Sequence, residues 1–179
     1  MSAFIPGLPQ PGEYHPAFAG YVAKAQAFAD PIEGLNRQRD ELLGLLRPLS
    51  AAQRVHRYAP GKWSVQEMLG HITDTERIFA YRALRIGRAD RTPLPGFEEN
   101  DYVVAAQAEN CGWEELIAEF EHVRRSSVLL FQHFPEAAWL RAGIVNDTPL
   151  SVRALVNITI GHVAHHIDIL RERYGLKYA

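Results

Sequence analysis

Four segments of this chain repeat apolar residues at the spacing of an α-helix, and each has a recognisable start or stop signal. They are residues 30–47, 64–87, 113–134 and 152–174. The second segment has the clearest start, because Ser64 and Glu67 match a capping box. No segment predicts a strand with comparable clarity. Four long helices predict an all-α protein, a four-helix bundle with long connections between the helices.

Two segments outside these helices predict further features, an N-terminal arm and a loop beside a substrate pocket. Residues 1–29 are rich in proline, glycine, alanine and aromatic residues, so we expect an N-terminal arm packed on a domain formed by residues 30–179. A short helix around residues 21–28 would fit this arm. Residues 88–111 contain a cluster of turn-forming residues and predict a long loop. Loops of this length are often functional, and we expect residues 88–102 to line a substrate pocket, with polar contacts from Asn100 and Tyr102.

Composition excludes several classes of protein. The formal net charge is −2, so no basic surplus favours nucleic acid as a partner. No apolar stretch approaches the roughly 20 residues of a membrane span, and the first residues do not resemble a signal peptide. The single cysteine, Cys111, excludes an internal disulfide and a cysteine-rich zinc site. We therefore expect a cytoplasmic protein that binds neither nucleic acid nor membrane.

Two histidines four residues apart, His162 and His166, stand out in the last helix. Residues at this spacing share one helix face, so two imidazoles could bind one metal ion. On a helical wheel His166 lies near the middle of the apolar arc and His162 about 40° away, whereas His165 lies about 100° away at its edge. A third nitrogen from another helix would leave a tetrahedral ion one open position, as in catalytic sites. The alternative is a pair of hydrogen-bonded core histidines.

His71, ninety-one residues upstream of His162 in the second helix, is the candidate for that third nitrogen, although its position is ambiguous. It lies about 100° from the centre of the apolar arc and would face the core only if that flank meets another helix. Taken alone, it fits a packed histidine better than a ligand. Glu67 and Asp74, one turn either side of His71, are the nearest carboxylates that could act as a general base.

Two further charged groups of the second helix leave alternatives open. Glu76 lies on the apolar arc, where an unpaired charge would be very costly. It could orient a metal-bound imidazole or pair with a buried arginine. Arg77, Arg82, Arg85 and Arg88 predict a solvated face with internal ion pairs, with the alternative that Arg82 reaches a substrate anion.

Three parts of the chain carry a family resemblance: residues 58–77, residues 95–100 and the helix with His162 and His166. Together they resemble the DinB-like, YfiT-like superfamily of metalloproteins, over about residues 30–174. The resemblance implies a bundle with up-down-down-up topology. It also implies a divalent metal, usually zinc or nickel, held by His71, His162 and His166, and a homodimer.

The resemblance also suggests an activity. Described members transfer low-molecular-weight thiols such as bacillithiol, isomerise substrates with mycothiol, or are labelled metal-dependent hydrolases. We therefore expect a metal-dependent enzyme that transfers a low-molecular-weight thiol to an electrophilic small molecule. Two alternatives stay open: a metal-dependent hydrolase of a small ester or amide, and a non-catalytic, metal-braced bundle that acts as a binding module. A metal-free scaffold is a third, weaker alternative.

Overall fold

The computed structural model describes residues 5–177, so residues 1–4 of the predicted arm and residues 178–179 of the predicted bundle domain lie outside it. Within this range the α-helices are α1 (Ala19–Ala25), α2 (Pro31–Leu46), α3 (Ala51–Arg54), α4 (Val65–Gly87), α5 (Glu99–Ala106), α6 (Trp113–Gln132), α7 (Glu136–Trp139) and α8 (Val152–Glu172). Two short 3-10 helices cover Pro16–Phe18 and Ala108–Asn110, and two strands form β1 (Ala142–Val145) and β2 (Thr148–Ser151). None of the helices in this range combines the length and apolar content needed to cross a membrane.

The four long helices α2, α4, α6 and α8 confirm the predicted four-helix bundle. Their starts follow the local sequence. The side chains of Asp30, Ser64 and Ser151 each accept a hydrogen bond from a backbone N–H group in the first turn of α2, α4 and α8. At α4 the carboxylate of Glu67 also accepts from the Ser64 N–H at 2.8 Å, which completes the predicted capping box.

The core shows which way each helix runs, because it divides into two clusters at opposite ends of the bundle. One cluster joins the end of α2 to the starts of α4 and α6 and the end of α8, through Leu46, Leu69, Leu116 and Leu170. The other joins the opposite ends of the same helices, through Leu35, Ala83, Phe131 and Leu155. Helices α2 and α8 therefore run one way and α4 and α6 the other, which is the expected up-down-down-up order.

This topology determines which helices touch and where the long connection lies. Helices α2 and α4 each pack on both α6 and α8. Because α4 and α6 are parallel, residues 88–112 must return along the length of the bundle. The prediction of a continuous loop is wrong here, since α5 forms within it and packs on α4. The Glu98 side chain caps α5 by accepting from the Asn100 N–H at 3.2 Å.

A two-stranded antiparallel hairpin lies between α7 and α8, where the sequence predicted no strand. Its two-residue turn is Asn146-Asp147, and both residues have positive φ, 47° and 58°. Such a turn matches the twist of a hairpin, and asparagine and aspartate tolerate this backbone region. The Leu94 N–H donates to Ile144 O and the Asn146 N–H donates to Leu94 O, each at 2.9 Å. The hairpin therefore holds the start of the 88–112 connection.

Helix α1 packs closely along α8. A Cβ atom at Gly161 would lie 1.9 Å from the backbone oxygen of Tyr21, so glycine is what lets the two helices approach. Lys24 Nζ lies 2.5 Å from an Asp168 carboxylate oxygen further along the same contact. Just before α1, Glu13 forms an ion pair with Arg153 of α8. The arm is thereby fixed to α8, with Tyr21 at a defined place.

We expect Gly161→Ala to destabilise the protein by about 1–3 kcal/mol, because the new methyl group meets backbone rather than a movable side chain. Urea unfolding at neutral pH measures the change. Gly20→Ala in α1 is the matched control, since a Cβ there meets nothing within 4 Å. That control should be neutral or slightly stabilising. Equal stability of both variants and the parent would contradict the close packing of α1 on α8.

Candidate metal centre

Three histidine rings from two helices meet at the contact between α4 and α8. His162 and His166 of α8 are buried, whereas His165 is only half-buried, which confirms the phase predicted from the helical wheel. His71 of α4 is also buried, because α4 packs against α8 on the flank that carries it. The sequence left open whether His71 faces the core, and the packing of α8 against α4 answers that question.

The nitrogens of these rings converge. His162 Nε2 lies 3.0 Å from His71 Nε2 and 3.1 Å from His166 Nε2. Three nitrogens bound to one tetrahedral zinc ion at its usual bond lengths are separated by about 3.3 Å. Among residues 5–177, these histidines are the one group of three metal-binding side chains whose ligand atoms lie close enough to hold a single ion.

Burial keeps the three imidazoles neutral. It lowers the pKa of His71 to about 4 from the usual 6.5. Burial, reinforced by the neighbouring histidines, holds the pKa of His162 and of His166 well below the ordinary value. Metal binding requires an unprotonated nitrogen, so at neutral pH all three rings are ready to accept an ion. Three imidazole nitrogens are a donor set that suits a divalent transition-metal ion.

Aromatic neighbours hold the rings in place. The Trp63 ring centroid lies 4.6 Å from that of His71, and the Tyr21 ring meets His162 edge-on at 5.6 Å. Metal-binding histidines commonly donate their second nitrogen to a carboxylate or carbonyl. The second nitrogen of His166, Nδ1, is instead buried without a hydrogen-bond partner among the described residues. Packing therefore does much of the orienting here.

Two cavities open onto the three histidines. The larger, about 490 Å³, is lined by His71 and His162, and the smaller, about 300 Å³, by His71 and His166. Tyr21 and Glu99 line both cavities. Both volumes suit small molecules. The histidines are therefore reachable from two sides, as expected for a metal centre with an open position rather than a closed structural site.

The two carboxylates nominated from the sequence are engaged elsewhere. Glu67 accepts from the Ser64 N–H and pairs with Arg57, which itself also pairs with Glu109. Partial burial alone would raise the pKa of Glu67, but these hydrogen bonds outweigh it and lower that pKa. The second nominee, Asp74, pairs with Arg77. Neither nominated carboxylate lines the two cavities at the histidines, so a role as general base stays a prediction for both.

The structure places other residues at the centre that the sequence did not single out. Glu99, the first residue of α5, and Tyr21 of α1 lie at the shared wall of the two cavities. Burial and the charge of Glu99 raise the pKa of Tyr21. Of the two loop residues proposed for polar contacts, Asn100 lines the smaller cavity, whereas Tyr102 packs its ring on Phe97 at 5.2 Å. Proximity of α1 and α5 to the histidines depends on topology, which short-range sequence signals do not contain.

We expect the metal-free protein to lose stability as the pH falls from about 6.5 to 4. In this range the unfolded chain binds protons that buried His71 cannot, so acid favours unfolding, and the contribution of His71 to this loss is complete below its folded pKa of about 4. For His71 alone the shift corresponds to roughly 3 kcal/mol. Urea unfolding at several pH values, in the presence of a chelator, measures the slope.

His71→Gln should make that slope shallower, with His162 and His166 supplying the remainder, whereas His122→Gln, which changes an exposed histidine, should leave it unchanged. Equal stability of the parent protein at pH 7.5 and pH 5 would contradict neutral, buried histidines.

Comparisons with known proteins agree with this architecture. No curated protein matches the sequence significantly. The solved structure of YfiT from Bacillus subtilis, described as a probable metal-dependent hydrolase with an unusual four-helix bundle topology, superposes with a TM-score of 0.73. The superposition covers 93% of this chain and 97% of that chain at 17% sequence identity, so it speaks for the fold alone. The sequence model of the DinB superfamily matches residues 35–170, a range that holds most of the bundle and all three histidines. The chain belongs to the DinB superfamily.

Proposed function

We propose that this chain is a divalent-metal-dependent enzyme that transfers a low-molecular-weight thiol to an electrophilic small molecule. The metal, zinc or nickel, would be held by His71, His162 and His166. The observation that carries the proposal is the meeting of two cavities at these histidines. A reaction between two molecules needs two binding spaces beside one reacting centre, so that both partners are held in reach of each other. The homodimer implied by the resemblance stays a prediction.

The chemistry follows from the donor set. A divalent ion held by three neutral imidazoles would keep its full positive charge, and it would lower the pKa of a bound thiol or water enough to favour the nucleophilic form at neutral pH. The chain would supply three neutral donors, with the aromatic rings of Trp63 and Tyr21 packed against two of them. Tyr21 and Glu99 line both cavities. They would lie between the thiol in one cavity and the electrophile in the other, and the two molecules would meet at the histidines.

A metal-dependent hydrolase of a small ester or amide is the second candidate, and Glu99 is the observation that favours it. Hydrolysis benefits from a carboxylate base beside the attacking water. Glu99 lines both cavities, whereas Glu67 and Asp74 are paired with arginines. The description of YfiT as a probable metal-dependent hydrolase supports the same candidate.

Cobalt substitution tests the thiol proposal directly. Adding cysteine or glutathione to the cobalt form should produce a sulfur-to-cobalt charge-transfer band. His162→Ala should lack the band, whereas His165→Ala, which changes a half-buried neighbour, should keep it. Absence of the band with every biological thiol offered would contradict thiol transfer.

Activity separates the two reactions. Thiol consumption with 1-chloro-2,4-dinitrobenzene reports transfer, and release of nitrophenol from 4-nitrophenyl acetate reports hydrolysis. Glu99→Gln should abolish hydrolysis if this carboxylate is the base, and should largely spare transfer. A protein that binds metal but catalyses neither reaction in a broad substrate screen would instead support the non-catalytic binding module.

A further inference from the structure

Arg82 is a buried cation in the wall of the larger cavity. It lies on α4, and only 7% of the residue is exposed. Its Nη2 donates to the backbone oxygen of Pro95 at 2.7 Å. No carboxylate among residues 5–177 forms an ion pair with it, and burial lowers its pKa because the charge is not compensated.

This arrangement differs from that of Arg77 and Arg85 on the same helix, whereas exposed Arg88 lies over the Phe134 ring. Arg77 pairs with Asp74 and Glu119, and Arg85 pairs with Asp90, so these two fulfil the predicted face of internal ion pairs. Arg82 does not follow that prediction. Leaving a buried charge unpaired costs free energy, and such a group in the wall of a cavity is a candidate for binding a ligand of opposite charge.

Aromatic rings hold the guanidinium in place. Its central carbon lies 5.9 Å from the centroid of the Phe79 ring and 5.7 Å from that of Phe97. Rings at these distances attract the cation and limit its movement. Together with the bond to the Pro95 oxygen, they pre-organise Arg82 without neutralising it.

The remaining lining of the cavity indicates which kind of ligand could neutralise the charge of Arg82. Arg82 is the one lysine or arginine that lines it, and the histidines of the metal centre are neutral. Much of the wall is apolar, with Leu150, Leu155 and Ile158 beside the rings of Phe79 and Phe97. The one carboxylate of the wall, Glu99, is on an exposed residue. One buried positive charge beside an apolar part of the wall suits a molecule with an apolar body and a single negative charge.

We propose that Arg82 binds the carboxylate of the substrate, and that the substrate is a small monocarboxylate with an apolar body. The planar guanidinium matches a carboxylate, and its single fixed positive charge balances a monoanion, whereas a phosphate dianion would keep one negative charge uncompensated. The larger cavity would hold this molecule between Arg82 and the metal centre. The inference rests on the proposed function only in treating the cavity as a substrate site.

Ligand binding to metal-free protein tests the inference without relying on activity. Calorimetric titration should show that 3-phenylpropanoate binds at least tenfold more tightly than 3-phenylpropanamide, which has the same shape and no charge. A chelator removes metal, so the carboxylate cannot bind to an ion instead. Arg82→Gln should abolish the preference for the carboxylate, and Arg82→Lys should retain part of it.

The controls separate a binding role from a structural one. If the only role of Arg82 were its hydrogen bond to Pro95, Arg82→Gln would weaken the binding of the acid and of the amide equally. The ratio of the two affinities would then not change. Arg88→Gln, an exposed position at the end of the same helix, should keep the full preference. Equal affinity of acid and amide, or no binding of the acid up to high millimolar concentration, would overturn the inference. Because metal is absent throughout, these outcomes are independent of whether thiol transfer or hydrolysis is observed.

Discussion

The untagged protein should contain about one divalent ion per chain, and His162→Ala should remove it. His162 Nε2 lies within 3.1 Å of the nitrogens of both other rings, so its loss leaves two donors that do not enclose an ion. We expect the metal affinity to fall by more than about a hundredfold, since even changes to groups that merely support ligands cost up to that factor. Elemental analysis of the purified variants, followed by titration with zinc, measures the loss.

His71→Ala and His166→Ala should behave in the same way, because each supplies one of the three nitrogens. His165→Ala is the matched control. It removes an imidazole from the same turn of α8 but not one from the converging group, so the metal should stay. Absence of metal from every preparation, with no uptake on titration, would contradict the site and with it the proposed chemistry.

Metal binding should also raise the free energy of unfolding. A ligand that binds only the folded state adds about 2.7 kcal/mol when its free concentration is a hundred times its dissociation constant. Zinc should therefore raise the melting temperature of the parent and of His165→Ala, and leave that of His162→Ala unchanged. A rise in His162→Ala equal to that of the parent would show that the ion binds elsewhere.

The long helices were predictable because their signals are local. The caps at Asp30, Ser64 and Ser151 and the helical period of the apolar residues specify α2, α4 and α8 closely. The hairpin and α5 were missed because each strand has four residues and α5 eight, too few to show a period. The pair Asn146-Asp147 was the available signal for the hairpin turn, since both residues tolerate positive φ.

The metal ligands were predictable to different degrees for the same physical reason. The phase of α8 alone selects His162 and His166, because its apolar arc is unambiguous. The position of His71 depends on which flank of α4 meets α8, and that is a property of the topology. The sequence left open whether Arg82 forms an ion pair or reaches a substrate anion. Only the folded structure shows that its neighbours are aromatic rings rather than carboxylates.

The largest effect on stability should come from Arg124→Ala. Sequence alone indicated that Glu76 needs a partner, and the structure provides Arg124 of α6, with both side chains almost completely buried. Arg124 Nε lies 2.8 and 2.9 Å from the two carboxylate oxygens of Glu76, and Nη1 donates to Leu35 O of α2 at 2.9 Å. Removing the arginine leaves a buried, uncompensated carboxylate, so we expect a loss of about 3–5 kcal/mol in urea unfolding. Arg125→Ala, which breaks an exposed pair with Glu121, should cost less than about 1 kcal/mol.

The double variant Glu76→Leu with Arg124→Met distinguishes an unpaired charge from lost packing. If the cost of Arg124→Ala comes from the stranded carboxylate, replacing both charges with apolar groups of similar size should recover most of the stability, because the energy of taking two ions out of water is no longer required. If the cost comes from the cross-link of α2, α4 and α6, the double variant should stay as unstable as Arg124→Ala. We expect recovery, since the bond to Leu35 O is a single hydrogen bond and the ion pair is the larger contribution. A double variant no more stable than Arg124→Ala would contradict the explanation by an unpaired carboxylate. It would show instead that the main role of the Glu76–Arg124 pair is to link α2, α4 and α6.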